Sequence, residues 1–425
     1  MGRLAPWFAV TMAAGCVHVV GAGLAGLSAA TSLSNQGYRV QVYESAAQAG
    51  GRCRSFHDEQ LGCVIDNGNH LILSGNKSTQ EYIGRIGAQD RLLTSERPQF
   101  PFVDAGTRER WMLDLGRGMG GWRVLLQRTG IPDVRRLDLL GALRLGFSPA
   151  DASVQQQVGG AGDIYRRLWE PLCLAVLNTE PEHAMARSLW PVLRETLGVG
   201  PDACRPVFAK TGLSHALVEP ALGYLREAGA PVHFNATLKT IGVDRGRVTT
   251  LGFSDHAVDI PAGDRVILCL PIAGVNAVLP AIETPDAHRP IVNAHFLLPS
   301  KSDEITFIGL INGEAHWVFR KGQIASVTVS AATSLVDATS QEIASRLWPD
   351  VTMGLQMPDA AMGAYRVIKE KRATFAQTPD QNRRRPGGAT AFENLTLAGD
   401  WTATGLPATI EGAIRSGQMA AEGVG

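Results

Sequence analysis

The N-terminal part of the chain alternates short apolar runs with a helical pattern. β-Branched residues at Val17, Val19 and Val20 predict a buried parallel strand, and a second strand is predicted over residues 39–43. Between the two runs, small and apolar residues recur at helical spacing: Gly26, Ala29, Ala30 and Leu33. Gly37 is placed to end this helix, so strand, helix and strand follow one another as in a βαβ unit.

A glycine-rich turn joins the first predicted strand to the helix. It has the GxGxxG pattern and consists of Gly21, Ala22, Gly23, Leu24, Ala25 and Gly26. Gly21 permits the tight turn, Gly23 lets the backbone approach a pyrophosphate, and Gly26 lets the helix pack closely on the sheet. Glu44 ends the second strand, 21 residues after Gly23, where an acid binds a ribose hydroxyl in such folds. The sequence therefore predicts a dinucleotide site.

Outside this region the pattern changes. Residues 74–205 have a largely helical pattern, and four segments alternate like strands: 293–299, 306–312, 317–320 and 325–330. The run GRGMGG at 116–121 mimics a phosphate loop, but no strand is predicted before it. The polar run QNRRRPGG at 381–388 is predicted to be a solvated turn.

Composition predicts a globular protein large enough for two domains. Of the 425 residues, 45% are apolar and 19% are charged. The 40 basic and 40 acidic residues balance, so no nucleic-acid partner is predicted. The six cysteines are scattered and form no metal-binding pattern, so we expect free thiols in a reducing cytoplasm and no metal site.

Two apolar regions bear on membrane contact. Residues 4–14 imitate a short signal peptide, but the first strand begins directly afterwards and Met12 is an equally good start, so we interpret 1–15 as an N-terminal extension. Residues 111–147 interleave leucine and tryptophan with arginine, at Arg117, Arg123, Arg128, Arg135, Arg136 and Arg144. This pattern suits a helix lying on an anionic bilayer, and it suits equally well helices that wall a substrate cavity.

The expected location follows from the lengths of these apolar runs. None reaches the ~18–20 apolar residues of a membrane-spanning helix. We therefore expect a cytoplasmic protein. Any contact with the membrane would be peripheral, on the inner face of the cytoplasmic membrane.

Three further segments resemble the amine oxidase and phytoene desaturase superfamily of flavoproteins. Glu44 and Ser45 are followed by Gly50, Gly51 and Arg52, which resemble the GG-R motif that wraps FAD. Residues 64–70, VIDNGNH, resemble the D-x-G-x-H signature of the superfamily. Residues 395–401 and 405–413, LTLAGDW and GLPATIEGA, resemble its C-terminal flavin motif. This resemblance implies that the cofactor is FAD.

The resemblance also implies which residues contact FAD. Besides the GxGxxG turn and Glu44, they are Ser45, Gly51, Arg52, Gly68, Leu238, Gly399, Asp400, Thr409 and Ile410. Arg52 would offer a forked cation to phosphate oxygens, and Asp400 would meet the ribityl or pyrophosphate part. Leu238 would contribute backbone contacts to the adenine, and a last helix starting at Pro407 would face the ring system.

The expected fold class is α/β, with a Rossmann-like FAD-binding domain and an inserted α+β substrate domain, as in amine oxidases and phytoene desaturases. Cofactor signals occur only in residues 16–75, 205–272 and 385–425, which we assign to a discontinuous FAD-binding domain. Residues 76–204 and 273–384 would then build the substrate-binding domain.

More specific segments are similar to bacterial squalene-associated FAD-dependent desaturases, the hydroxysqualene dehydroxylases of hopanoid biosynthesis. They are residues 168–179 (LWEPLCLAVLNT), 369–375 (KEKRATF) and 398–413. The similarity extends over nearly the whole chain from Cys16, although Asn69 stands where relatives commonly have glutamine. It implies a long isoprenoid substrate, hydroxysqualene, which is dehydroxylated to squalene with hydride from reduced flavin. An external electron donor would reduce the FAD.

The leaving hydroxide needs an acid. His70 is the first candidate, because its place in the D-x-G-x-H signature implies a position near the flavin, and Glu170 and Glu411 are the others.

Two other functions stay open. One is a desaturase or oxidase of a carotenoid, another terpenoid or an amine, with hydride flow reversed. The other is a non-enzymatic lipid-binding module on the same fold without tightly bound FAD, against which the GG-R motif and Asp400 argue.

Overall fold

The computed structural model describes residues 15–116, 130–134, 139 and 141–424. Its strands are β1 (Cys16–Val20), β2 (Arg39–Tyr43), β3 (Ser55–Asp58), β4 (Cys63–Asp66), β5 (Ile72–Leu73), β6 (Leu92–Thr94), β7 (Gln99–Asp104), β8 (Arg110–Asp114), β9 (Pro206–Ala209), β10 (Val232–His233), β11 (Leu238–Asp244), β12 (Arg247–Phe253), β13 (Ala257–Asp259), β14 (Arg265–Leu268), β15 (His288–Ile311), β16 (Trp317–Val329), β17 (Tyr365–Phe375) and β18 (Leu395–Leu397). Its α-helices are α1 (Leu24–Asn35), α2 (Lys77–Arg85), α3 (Gly141–Gly146), α4 (Val154–Val158), α5 (Glu170–Leu177), α6 (Ala186–Glu195), α7 (Glu219–Glu227), α8 (Ile272–Val278), α9 (Ser340–Gly354), α10 (Pro379–Arg383) and α11 (Ile410–Glu422).

A five-stranded parallel sheet forms the centre of the cofactor domain. Its strand order is β10-β2-β1-β14-β18, and every residue of β1 is buried. The five strands come from residues 16–75, 205–272 and 385–425, and β2 has its predicted bounds. The domain boundaries themselves stay a prediction. The carboxyl ends of parallel strands meet at one edge, where such sheets bind ligands, and the glycine turn after β1 lies at that edge.

Helices α1 and α11 pack closely beside this sheet. A Cβ atom built on Gly417 of α11 would lie 2.1 Å from the carbonyl oxygen of Ala25 in α1. One built on Gly26 would lie 1.8 Å from the carbonyl oxygen of Gly21. Gly417 thus sets the distance between the two helices, and Gly26 lets the start of α1 pack against the glycine turn.

We expect Gly417→Ala to lower the free energy of unfolding by about 1–3 kcal/mol, because the added methyl group overlaps backbone atoms of α1. Gly223→Ala is the matched control, since Gly223 lies in α7 and a Cβ there would meet no atom within 4 Å. Helix propensity alone should raise the stability of that control by up to about 1 kcal/mol. Denaturant unfolding measures both variants, and equal stabilities would contradict a tight contact between α1 and α11.

A second sheet forms the floor of the other domain. Its order is β16-β15-β7-β8, and β17 also pairs with β15. One face packs on α9 through an apolar cluster that includes Val292, Phe296 and Val327. Because side chains alternate along a strand, Asn293 and His295 lie on the opposite face. That face is turned towards the cofactor domain, since Asn293 bonds to the backbone of residue 67.

The strand predictions for this sheet were wrong in their bounds. The separate strands predicted at 293–299 and 306–312 are one strand, β15, and those predicted at 317–320 and 325–330 are one strand, β16. The register of the pairing between β15 and β16 shifts on both sides of Ser302, where polar residues separate the two apolar runs. The two strands therefore stay paired through residues whose side chains do not alternate between apolar and polar.

The helical prediction for residues 74–205 holds for α2 and was wrong over residues 92–114. Strands β6, β7 and β8 lie there, and the alternation in β8 buries Trp111 and Leu113 while Arg110 and Met112 are exposed. β8 ends one residue before GRGMGG, of which the structure describes only Gly116, so the expectation that no strand precedes this run was also wrong. However, β8 pairs with β7 in an antiparallel manner, unlike the parallel strand of a dinucleotide-binding fold.

Helices α3 to α6 form an apolar cluster around Trp169, which is 1% exposed. Phe147, directly after α3, is 87% exposed. Five arginines of the basic stretch lie outside the described residues: Arg117, Arg123, Arg128, Arg135 and Arg136. No helix in the described part of the chain is both long and apolar enough to cross a bilayer. Peripheral membrane contact stays a prediction.

Candidate active site

The glycine turn after β1 is shaped by contacts with neighbouring strand ends. Gly21 has a φ of +106°, and a Cβ there would lie 2.6 Å from the carbonyl oxygen of Cys269. At Gly23, a Cβ would meet no atom within 4 Å, so this part of the turn borders open space. Gly50 donates its N–H to the carbonyl oxygen of Ala22 at 2.8 Å. This hydrogen bond places Gly50 and Gly51 directly against the glycine turn.

The carboxylate of Glu44 supports this turn from the end of β2. Its Oε2 accepts the N–H of Ala22 at 2.7 Å, and its Oε1 accepts the N–H of Ala46 at 2.9 Å and the hydroxyl of Ser45 at 3.2 Å. The residue is buried. Two carboxylate oxygens offer about four acceptor positions, so a position for a ribose hydroxyl is still available.

Leu238 and Gly51 border the same region. The carbonyl oxygen of Glu44 accepts the N–H of Ala236 at 2.8 Å, which brings the start of β11 beside the acid. A Cβ on Gly51 would lie 3.5 Å from the Cα of Gly23. The two glycine segments and β11 thus surround the carboxyl edge of the parallel sheet. An open turn at Gly23 with a carboxylate behind it fits the diphosphate and ribose of a dinucleotide.

Arg52 and Asp400 are paired with each other. Nη2 of Arg52 donates to Oδ1 of Asp400 at 2.6 Å, and Nη1 donates to the carbonyl oxygen of Ala373. The Asp400 carboxylate raises the pKa of Arg52 above its usual value. The Asp400 side chain is 8% exposed and that of Arg52 is 44% exposed, so the guanidinium keeps an accessible edge. Arg52 and Asp400, which are both predicted to contact FAD, are therefore joined by an ion pair.

The C-terminal motif joins β18 to α11. Gly399 donates its N–H to a serine hydroxyl of α11 at 2.8 Å, which ties the turn to that helix. α11 begins at Ile410, and Oγ1 of Thr409 accepts the N–H of Gly412 at 3.1 Å. The predicted helix start at Pro407 was wrong, because the threonine cap determines where the helix begins. The first turn of such a helix offers amide groups to a negatively charged ligand.

The segment from residue 66 to residue 70 is fixed to the second sheet. The side chain of Asn293 donates to the carbonyl oxygen of Asn67 at 3.4 Å, and that of Asn69 donates to Oγ1 of Thr328 at 3.2 Å. The Thr328 hydroxyl donates in turn to Asn293 at 2.9 Å. A Cβ on Gly68 would lie 3.0 Å from the Asn293 amide, so a larger residue here would press on that side chain where the two domains meet.

His70 is accessible yet enclosed by protein. Its side chain is exposed, while burial lowers its pKa to about 4, an effect that Asp66 opposes and Arg52 reinforces. His70 is therefore neutral at pH 7, and the charge of Arg52 is near enough to affect it.

The structure argues against Glu411 as the acid. Its carboxylate is buried and accepts the N–H groups of Ser78 and Thr79 at 3.0 and 2.9 Å, the Thr79 hydroxyl at 2.7 Å and a guanidinium N–H of Arg415 at 2.9 Å. These bonds cap the first turn of α2 and use the carboxylate only as an acceptor. The Glu411 carboxylate is thus taken up by structural hydrogen bonds, and we rank it behind His70 and Glu170.

Glu170 begins α5 and is partly buried. Burial raises its pKa, and the nearby carboxylate of Glu182 raises it further. At the other end of α5, Nδ2 of Asn178 donates to Oγ1 of Thr374 in β17 at 3.0 Å. A carboxyl group with a raised pKa is suited to donate a proton.

The prediction that the run QNRRRPGG is a solvated turn was wrong for part of the run, although Arg383 is 61% exposed. α10 includes its first part, and each of its three arginines has partners far away in the sequence: Arg383 with Asp151, Arg384 with Asp286, and Arg385 with backbone carbonyls of residues 400–402. A run of charges has the same composition whether it is solvated or paired. Only the folded chain distinguishes the two.

Among the described residues, one group of possible metal ligands lies close together: Cys16, His18 and Asp264, all buried. Both ring nitrogens of His18 have partners, with Nε2 2.9 Å from Asp264 and Nδ1 3.1 Å from the hydroxyl of Tyr43. Asp264 also accepts the N–H of Cys16 at 2.8 Å. A buried hydrogen-bond network explains the group, and we assign no metal to it.

Comparison with known proteins identifies the family. The family model described as flavin containing amine oxidoreductase matches residues 24–302 and 321–425. Hydroxysqualene dehydroxylase from Sinorhizobium fredii is 42% identical over 406 residues, which are 96% of this chain and 97% of that protein. The 15-cis-phytoene desaturase of Arabidopsis thaliana is 22% identical over 464 residues, 96% of this chain and 79% of that protein. An oxidoreductase from Methanosarcina mazei has a similar fold, with a TM-score of 0.69 at 14% identity over 96% of this chain and 100% of that one.

These matches confirm the predicted α/β flavoprotein fold and FAD as the cofactor. They also confirm an oxidoreductase rather than a non-enzymatic lipid-binding module. The chain belongs to the flavin-containing amine oxidoreductase family and, within that family, to the hydroxysqualene dehydroxylases.

Proposed function

We propose that this chain removes the hydroxyl group of hydroxysqualene reductively and releases squalene. The observation that carries the proposal is the 42% identity over nearly the whole length of a hydroxysqualene dehydroxylase. The site supports it, because the glycine turn and the Arg52–Asp400 pair fit FAD, and the charge of Arg52 is near enough to His70 to lower its pKa. The phytoene desaturase match, at 22% identity, supports the reverse direction of hydride flow less strongly.

In the proposed reaction, the C–O bond of an allylic alcohol breaks and its oxygen leaves as water. The allylic cation then takes up a hydride, which FAD supplies when it is reduced and bound. Residues of the chain hold the cofactor, exclude water and deliver one proton to the leaving oxygen. Glu44, the glycine turn and the Arg52–Asp400 pair would hold the cofactor.

His70 is our first candidate for the proton donor. The bonds from Asn293 and Thr328 fix its segment at the boundary of the two domains. With a pKa of about 4, its protonated form is scarce at pH 7 but strongly acidic. Glu170 is the second candidate, because its raised pKa favours the protonated carboxyl group.

Two finer statements belong to the same proposal. In the described residues, one GxGxxG turn follows a parallel strand, and we assign that turn to FAD. No second turn of this kind is left there for a nicotinamide, so we infer that an external donor reduces the FAD.

Arg144 and the exposed Phe147 belong to the basic and apolar stretch that we propose as the contact with the membrane. Flotation of the protein with anionic liposomes tests that contact, and a protein that stays at the bottom of the gradient would contradict it.

Anaerobic mixing of the reduced enzyme with hydroxysqualene tests the reaction. We expect the absorbance of oxidised flavin to return and one squalene to form for each flavin. Squalene is the control ligand, because it has no hydroxyl group to lose and should leave the flavin reduced. Reoxidation by oxygen but not by hydroxysqualene would overturn the proposal and favour a desaturase or an oxidase.

A further inference from the structure

Three consecutive arginines after β17 have different surroundings. The side chain of Arg383 is 61% exposed and forms an ion pair with Asp151. Arg384 forms an ion pair with Asp286 on the outside of the same turn. Arg385, in contrast, has no carboxylate among the hydrogen-bond partners that the described residues give it. Its guanidinium is directed at backbone instead.

The contacts of Arg385 converge on the flavin motif after β18. Its Nη2 donates to the carbonyl oxygens of Asp400, at 3.2 Å, and of Thr402, and its Nε donates to that of Trp401 at 3.4 Å. The guanidinium also lies over the ring of Phe375, 5.2 Å from its centre. One cation thus bonds to three successive peptide groups and is held in place by an aromatic ring.

Asp400 is therefore held from two sides. Arg52 binds its side-chain carboxylate at 2.6 Å, and Arg385 binds its main-chain carbonyl. Each carbonyl bond fixes the plane of one peptide group, and the orientation of a peptide plane determines where the neighbouring side chain points. The direction of the Asp400 carboxylate thus depends on Arg385 as well as on Arg52.

We propose that Arg385 is a positioning residue for FAD: it holds the turn of residues 399–402 in the conformation that presents Asp400 to the cofactor. The inference rests on flavin binding and not on the identity of the substrate. Its failure would therefore leave the proposed reaction untouched.

The chemistry of the site calls for arginine at this position. Burial lowers the pKa of Arg385 to about 10, which the nearby Asp400 opposes, so the group keeps its charge at pH 7. A planar fork reaches several carbonyl oxygens at once, whereas a lysine is a point charge with a flexible stem. Lysine should therefore restore the charge but only part of the geometry.

The test is the FAD affinity of three full-length variants after removal and re-addition of the flavin. Arg385→Met keeps the apolar stem over Phe375 and removes the fork, and we expect at least about tenfold weaker binding. Arg385→Lys should lie between this variant and the wild type. Arg383→Met is the matched control from the same run, and it should bind FAD within about twofold of the wild type, because an exposed ion pair contributes little.

The unfolding midpoint of the flavin-free protein separates positioning from general stability. We expect Arg385→Met to lower the midpoint more than Arg383→Met does, because it leaves three carbonyl groups without their donor. Arg385→Lys should match Arg383→Met in midpoint and still bind FAD more weakly. Unchanged affinity in Arg385→Met, or an equal loss in Arg383→Met, would overturn the inference. If Arg385→Met does not fold, Arg385→Lys decides: weaker FAD binding at an unchanged midpoint supports positioning, and wild-type binding rejects it.

Discussion

Replacing Glu44 with alanine is expected to weaken FAD binding by about a hundredfold. The carboxylate accepts the N–H groups of Ala22 at 2.7 Å and of Ala46 at 2.9 Å, so alanine leaves both amides without their acceptor and loosens the glycine turn. It also removes the acceptor predicted for the ribose. A hydrogen bond to a charged group contributes about 1.5–3 kcal/mol, and the loss of one such bond to the ribose at the upper value corresponds to the expected factor.

Titration of the flavin-free protein with FAD measures this loss. Glu44→Gln should have an intermediate effect, because its amide oxygen can still accept from Ala22 while its NH₂ group would face the N–H of Ala46. Glu59→Ala is the control: it removes a carboxylate of the same domain whose side chain is 95% exposed, and it should bind FAD as the wild type does. Wild-type affinity in Glu44→Ala would mean that other residues hold the ribose.

The cofactor end of the molecule could be predicted because its signals are local. β1, the glycine turn, α1 and β2 follow one another along the chain, and each has its own pattern of residue types. The tight turn at Gly21 and the close packing at Gly26 are constraints between neighbours in sequence. Patterns of this kind can be recognised without knowing the rest of the fold.

The second sheet and the polar anchors depend on distant contacts. β7 lies parallel to β15, with Phe102 opposite Gly309, and no local pattern indicates that pairing. Arg52 and Asp400 are 348 positions apart. A carboxylate has the same local pattern whether it caps a helix, as Glu411 does, or donates a proton. Its role is decided by the donors that folding brings to it.

Two histidines with similar pKa values show why accessibility matters at the site. Burial lowers the pKa of His295 to about 4, as it does for His70. His295 is 1% exposed, and its Nδ1 lies 2.7 Å from the hydroxyl of Ser326. It cannot meet a substrate. His70 is exposed, and this difference makes it the candidate for proton transfer.

His70→Ala is expected to keep FAD bound and to slow the reaction of the reduced enzyme with hydroxysqualene by about 10²–10⁴-fold. An allylic hydroxide is a poor leaving group without a proton, whereas FAD is held by the glycine turn, Glu44 and Asp400. The yellow colour and the rate of flavin reduction should therefore persist. His57→Ala is the control, because the side chain of His57 is 53% exposed in the same domain.

The pH dependence of the single-turnover rate shows how His70 acts. With a pKa of about 4, the protonated fraction of its imidazole rises about tenfold for each pH unit as the pH falls from neutral. If the imidazolium donates the proton, the wild-type rate rises in parallel and His70→Ala loses that slope. A near-normal rate in His70→Ala would assign the proton to Glu170. In that case the rate should fall as the pH rises through the raised pKa of this carboxyl, and Glu170→Gln should abolish the reaction.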